Sequence, residues 1–173
     1  MWRNERAESA SGLPIYFPVS IAKFLVMHFC TLGGYQFYWF YENWKIIQER
    51  EKTPISPFWR TFFAFIFCYP LFEAIRDRAA PLNMPEVASP HVLATLWVLL
   101  SMLWILPDPY WLASFLSIGL LLPIQQMANG VNQSLAPNAD RNDRFTAWNT
   151  VAIAIGGPLF IIGVMAAFLP HAE

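Results

Sequence analysis

Apolar residues run along this chain in long blocks separated by compact polar loops. Val92–Leu106, Trp111–Ile124 and Phe145–Leu169 contain no charged residue at all. Blocks of that length and purity suit helices crossing a bilayer core of about 30 Å, which roughly 20 residues cover at 1.5 Å per residue. The pattern predicts an all-α, polytopic membrane protein: one domain over residues 1–173, with about five transmembrane helices joined by short loops. The predicted helices are 20–48, 57–75, 91–106, 110–134 and 143–169, after a polar tail and interfacial entry over 1–19.

Local signals refine these boundaries. Pro14 and Pro18 bracket the entry. The first helix is longer than a bilayer needs, and Gly33-Gly34 divides it into an apolar half and an aromatic, increasingly polar half. Glycine weakens a helix, so a kink is expected there, with a re-entrant hairpin as the alternative. Ser56 before Pro57 reads as a cap followed by a proline at the first helical position. Arg76-Asp-Arg78 closes the second helix, three prolines (Pro81, Pro85, Pro90) mark a loop, and Pro107-Asp-Pro109 is short enough for a tight turn.

Five crossings place the tail and the 76–90 and 135–144 loops on one side, with Arg3, Arg6, Lys23, Arg76, Arg78, Arg141 and Arg144. The other side receives Lys45, Arg50, Lys52 and Arg60. The excess of cations predicts a cytoplasmic N-terminus. Residues 1–11 lack the pattern of a cleaved signal, so the first helix is expected to remain as an anchor.

Composition supports the membrane reading. Hydrophobic residues make up 56% of the chain and charged residues 13%, against about 25% charged in ordinary soluble domains. Aromatics reach 17%, several at segment ends (Trp44, Trp59, Tyr110, Trp111, Trp148), where their amphipathic rings suit the headgroup level. A net charge of −1 gives no electrostatic case for nucleic acid. Cys30 and Cys68 lie in apolar blocks without metal-ligand spacing and read as packing residues. His28 lies in an apolar helix, and nothing places it among metal ligands, so neither a metal nor a cofactor is expected. No nucleophile–base constellation is visible; a membrane enzyme acting on lipid, with Glu42 or Asp143 as its acid–base group, is the third functional reading, behind the non-enzymatic ones.

An internal repeat is suggested by Thr31-Leu-Gly33 with Asn43 and Phe58, matched by Ser117-Ile-Gly119 with Asn129 and Phe145. In each, a long helix turns polar, a short loop follows, and an aromatic-led helix returns. Such repeats recur among transporters.

The densest polar cluster is Gln125, Gln126, Asn129 and Asn132, of which positions 125, 129 and 132 share a helix face. Amides in an apolar setting must be hydrogen-bonded. They serve either as contacts between helices or, with Asn142, Asn149 and Arg60, as a ligand or lipid-headgroup site built on Gln126, Asn129 and Asn132. Asn142 or Asp143 is the expected cap of the last helix, and Asn149 is expected to reach Asn129 or Gln126. Arg60 is expected to snorkel, or to pair with Glu42 or a lipid phosphate. Trp39, Trp44 and Trp59 form the predicted interaction surface.

Thr31-Leu-Gly-Gly-Tyr-Gln-Phe-Tyr-Trp-Phe-Tyr-Glu-Asn-Trp-Lys45, continued by Ile55-Ser-Pro-Phe-Trp-Arg60, resembles small multi-pass proteins of bacterial inner membranes. These carry a G-x-Y-x-x-Y-W-x-Y-x-N-W-like signature and are grouped as families of unknown function. The resemblance covers roughly residues 17–75 and, more faintly, 119–157, where Asn129, Asn142 and Asn149 look like recurring asparagines. Gly34 stands where a bulkier residue is expected. The resemblance implies a bacterial inner-membrane location and supplies no activity. The functional expectation is a non-enzymatic accessory or interaction subunit, held in the lipid bilayer against a membrane-protein partner or a second copy. The alternative is a small transporter, channel or lipid-handling protein using the Asn/Gln site between the fourth and fifth helices.

Overall fold

The computed structural model describes residues 12–85 and 88–169, and every regular element among them is helical. Seven α-helices follow in order: α1 (Ile21–Cys30), α2 (Gly34–Glu51), α3 (Pro57–Phe62), α4 (Ala64–Ala79), α5 (Pro90–Met102), α6 (Ile118–Leu135) and α7 (Ala147–Ala167). Short 3-10 turns extend α4 and α5, and a 3-10 stretch, Tyr110–Ser117, leads into α6. Among the described residues two helical runs are long and apolar enough to cross a membrane: Tyr110–Leu135 with 26 residues and Ala147–Ala167 with 21.

The first predicted helix is two helices. At the end of α1 the Gly33 N–H donates to the His28 carbonyl (2.8 Å) and the Leu32 N–H to the Phe29 carbonyl (3.2 Å). This pair of bonds closes a helix with a left-handed residue. Leu32 takes φ 52° and Gly33 φ 84°, and at Gly33 the missing Cβ removes the steric penalty. The Thr31 hydroxyl ties the pieces together, donating to the Met27 carbonyl (2.7 Å) and accepting from the Tyr35 N–H (2.8 Å). The chain folds back instead of kinking: Phe17 meets Tyr38, and Phe24 meets both Tyr35 and Trp39.

The second predicted helix also breaks, at Phe63 (φ −98°, ψ 41°), between α3 and α4. Its start is as expected, with the Ser56 hydroxyl capping the Trp59 N–H and Pro57 in the first turn. The last helix starts later than predicted. Thr146 is its cap, in a reciprocal pair with Asn149, and Asn142 and Asp143 lie in the preceding loop.

The core forms where α2, α4, α5 and α6 meet. α4 buries Ala64, Cys68, Leu71, Phe72, Ile75 and Ala79, and α6 buries Ile118, Leu121, Ile124, Ala128 and Val131. These positions recur every three or four residues and so form one stripe on each helix. Phe40 links them, stacking on Phe72 (6.3 Å between ring centres) and tilting onto Trp97 (5.0 Å). α7 differs. Of its residues only Ala167 is buried, and it rests on α1, where a Cβ on Gly156 would fall 1.6 Å from the Cys30 carbonyl oxygen. That approach requires glycine.

Side-chain partners show which ends of the segments lie together. Arg50 at the end of α2 donates to the Pro14 carbonyl, and Tyr16 donates to the Ala74 carbonyl of α4. Asn132 of α6 holds Ile15 and Tyr16, while Lys23 reaches Asn142 and Arg144 before α7. One end of the molecule therefore gathers the 13–19 segment, the 52–56 connector, the end of α4 and the 136–146 loop. The other end holds the Gly33 turn, the α5 terminus and Ser114–Ser117, which meet around one cavity. The expected split of the entry segment and the first connector to opposite sides is thereby corrected, since the reversal at Gly33 returns α2 to the end where α1 began, while residues 1–11 of the tail lie outside the described residues. Arg3 and Arg6 lie outside the described residues. Of the other nine Lys and Arg, eight sit toward this end, on Lys23, on the later turns of α2 and its cap, on the last turn of α4 and in the 136–146 loop, while Arg60 lies on α3 above the Trp44 ring, between the cavity-lining Phe58 and Thr61.

The suspected repeat units share an outline: each has a short helical piece followed by an 18-residue helix. They differ at the junction. Thr31–Gly33 reverses the chain, whereas Ser117–Gly119 passes from 3-10 to α without turning back.

Candidate functional site

Segment 13–19 is irregular, yet Ile15 to Val19 are buried. A buried stretch outside helix or sheet must find partners elsewhere for its backbone. Pro14 and Pro18 lower the requirement, since neither has an N–H. Amide side chains supply most of the rest, because each carries donors and an acceptor on one planar group. Asn132 Oδ1 accepts from Ile15 N–H (2.8 Å) and Tyr16 N–H (3.0 Å), while its Nδ2 donates to the Tyr16 carbonyl (2.9 Å). Asn43 accepts from the Phe17 N–H (3.0 Å). Gln125 donates to the Phe17 and Val19 carbonyls and to Asn129, and accepts from the Trp39 indole. Asn129 donates to the Val19 carbonyl (2.8 Å) and Asn142 to the Pro18 carbonyl (3.0 Å). Tyr16 completes the clasp through its hydroxyl on Ala74 (2.7 Å). Burial pushes that phenol's pKa up to about 12.

The predicted ligand site is thus divided. Asn129, Asn132 and Asn142 hold the chain's own backbone. Gln126 is exposed, and its neighbour Gln125 occupies the buried position instead. Asn149 bonds Thr146 at the start of α7 rather than Asn129 or Gln126. Arg60 lies 4.3 Å above the Trp44 ring and 5.2 Å from that of Phe67, a cation–π contact that sequence spacing did not suggest. The predicted interaction surface loses two members. Trp39 and Trp44 are buried, because the Gly33 reversal lays the irregular segment and α4 over them, and Trp59 alone is exposed.

A second polar grouping lies in a cavity of about 670 Å³ bounded by α2, α3, α5 and the 110–117 stretch. Its rim is apolar and exposed: Leu32, Phe37, Tyr41, Phe58, Phe62 and Trp104. Its floor is buried and includes His28, Gln36, Trp97, Phe115 and Ser117. Gln36 is engaged, accepting from the Trp97 indole (3.0 Å). The buried polar atoms of His28 (both ring nitrogens), Thr61, Ser101 and Ser117 find no hydrogen-bond partner among the described residues. The Phe115 backbone faces the imidazole without reaching bonding geometry. An orphaned buried polar atom costs about 1–3 kcal/mol, and all four of these residues line the same cavity. Among the described residues no Asp, Glu, Lys or Arg lines this space. No group of three or more His, Cys, Asp or Glu able to hold a metal occurs among the described residues.

Sequence reasoning missed this site. In sequence His28 stands alone in an apolar helix, Ser101 and Ser117 lie in apolar blocks, and Thr61 sits between Arg60 and Phe62. The available signal was their coincidence with an aromatic-dense region, which becomes informative once the helices are placed. No protein-family model, curated protein or solved structure matches the chain.

Proposed function

We propose that the chain is a polytopic membrane protein that takes up an apolar molecule from the bilayer into the aromatic cavity and performs no covalent chemistry on it. This is the lipid-handling or transport reading, moved from the amide cluster to the cavity. The observation that carries it is the open aromatic mouth above a buried floor of unpartnered polar atoms. Largely apolar pockets with a few convergent polar groups are the usual form of small-molecule sites.

Charge segregation supports the membrane embedding. Residues 24–41, 61–72, 92–107, 109–139 and 145–169 contain no Asp, Glu, Lys or Arg, and they carry most of the exposed apolar side chains. With most of the described cations gathered at one end, the positive-inside rule favours a cytoplasmic side for that end, in line with the cytoplasmic N-terminus expected from the sequence. The bacterial inner membrane is the location implied by the sequence resemblance. An accessory role keeps one supporting observation, the exposed ledge of Phe58, Trp59, Phe62 and Phe63 with Trp59 stacked on Phe63 (6.1 Å).

Purification in a mild detergent with mass spectrometry of retained molecules tests the reading. Wild-type protein is expected to carry a hydrophobic small molecule that Ser101→Phe, which fills the cavity, releases. Equal retention by both proteins, or none by either, would sink it. Recovery of a stoichiometric protein partner that Trp59→Ala abolishes would move the weight to the accessory role.

A further inference from the structure

We infer that the cavity selects an uncharged, ring-bearing amphiphile with carbonyl or hydroxyl oxygens, of which an alkylated quinone is the simplest example. This rests on the cavity being a binding site and adds the chemical class of its occupant.

Three features of the lining narrow the class. Half of the lining side chains, eight of sixteen, are aromatic. Flat π-faces favour a planar ring through offset or edge contacts. The unpartnered groups are all hydrogen-bonding, and among the described residues no Asp, Glu, Lys or Arg lines the cavity, the guanidinium of neighbouring Arg60 being held over the Trp44 ring. Hydroxyls donate and accept, and a neutral imidazole does one of each, so they suit carbonyl or hydroxyl oxygens. A phosphate or carboxylate would enter without a cation to offset its desolvation, and burying an uncompensated ion is far more costly than burying a neutral polar group. Most of the described cations lie toward the other end, so a zwitterionic or anionic headgroup finds its complement there rather than among the cavity's lining residues.

His28 and Ser117 are the reading residues. They are 1% and 0% exposed and line the floor; the Ser117 hydroxyl has no partner among the described residues, and the imidazole has only the Phe115 backbone beside it, short of a formed hydrogen bond. The ring and its oxygens are placed at the floor, with the alkyl chain leaving past the exposed rim toward lipid.

Three probes sharing a decyl chain test this on the full-length protein in detergent micelles: decyl-benzoquinone, decylbenzene and decanoate at pH 8. Thermal stabilisation and native mass spectrometry read binding. Decyl-benzoquinone is expected to bind tightest, decylbenzene more weakly and decanoate least. The double variant His28→Leu, Ser117→Ala removes orphaned groups, so its fold is expected to survive. It should weaken the quinone roughly tenfold or more, the loss of one or two hydrogen bonds, and leave decylbenzene unchanged. Equal binding of decylbenzene and the quinone would overturn the ligand class while leaving the cavity reading intact. Tightest binding by decanoate would overturn the uncharged assignment. Binding of none of the three, in wild type or variant, would overturn the class and the cavity reading together. Quinone binding that survives the double variant but is lost in Ser101→Phe would remove the role given to His28 and Ser117.

Discussion

Two polar groupings lie in this otherwise apolar protein, and they differ in what their atoms face. The amides of Asn43, Gln125, Asn129, Asn132 and Asn142 point at peptide groups of segment 13–19 and are bonded to them. The hydroxyls and imidazole of Thr61, Ser101, Ser117 and His28 belong to residues that line a cavity, and none makes a formed hydrogen bond among the described residues. The first grouping satisfies a backbone that could not satisfy itself. The second leaves capacity open at some cost in stability. A dense cluster of amides is therefore a weak guide to a binding site, since such groups are well suited to holding an irregular buried strand. Sparse polar atoms that the fold leaves unpaired are a stronger guide.

The contrast is breakable by substitution, because the two groupings predict opposite signs. The largest effect belongs to the amides. Asn132→Leu leaves three backbone groups of Ile15 and Tyr16 unpaired and is expected to cost about 3 kcal/mol, measured by denaturant unfolding in micelles. A loss below about 1 kcal/mol would mean the segment finds other partners.

Tyr16 gives the next largest effect, and it depends on pH. The folded protein holds the phenol neutral up to about 12 against an ordinary 10.0. Its contribution is whole below pH 10 and is lost as pH rises toward 12, by up to about 2–3 kcal/mol. Thermal melts across that window should fall more steeply for wild type than for Tyr16→Phe. Parallel slopes would show that the phenol is not protected.

Asn149 makes only local bonds, so Asn149→Ala should cost about 0.5–1 kcal/mol through the helix start and leave every retained molecule in place. Loss of a bound molecule in that variant would return Asn149 to the ligand site.

The smallest change in stability is expected at the cavity floor. Ser117→Ala removes an unpaired buried hydroxyl and should shift stability by less than about 0.5 kcal/mol, in the stabilising direction, while lowering ligand retention. A destabilisation as large as that of Asn132→Leu would show that Ser117 has a structural partner, and the contrast between the groupings would collapse.

Much of the helical outline was legible in the residues. The charge-free blocks, the cap at Ser56-Pro57 and the turn at Pro107–Pro109 are local signals, and local signals survive in any tertiary setting. The break at Thr31–Gly34 was half-legible. Two glycines flagged a weak point, but a kink and a reversal need the same residues, and only the packing of Phe24 on Trp39 selects reversal. Gln125 and Gln126 were indistinguishable as a dipeptide until a helix face was buried. Trp39 and Trp44 looked like an interface belt because aromatic rings suit both a headgroup layer and a core.

By itself the sequence determined the helical class, the long uncharged blocks and the identities of the polar residues among them, because these depend on composition and on spacings within a few turns. Only the tertiary structure decided which polar atoms are paired, which end of the molecule holds the cations, and where a cavity remains. Those are relations between residues as far apart as Ile15 and Asn132, or His28 and Ser101. They arise when segments reverse and pack, and no local periodicity encodes them.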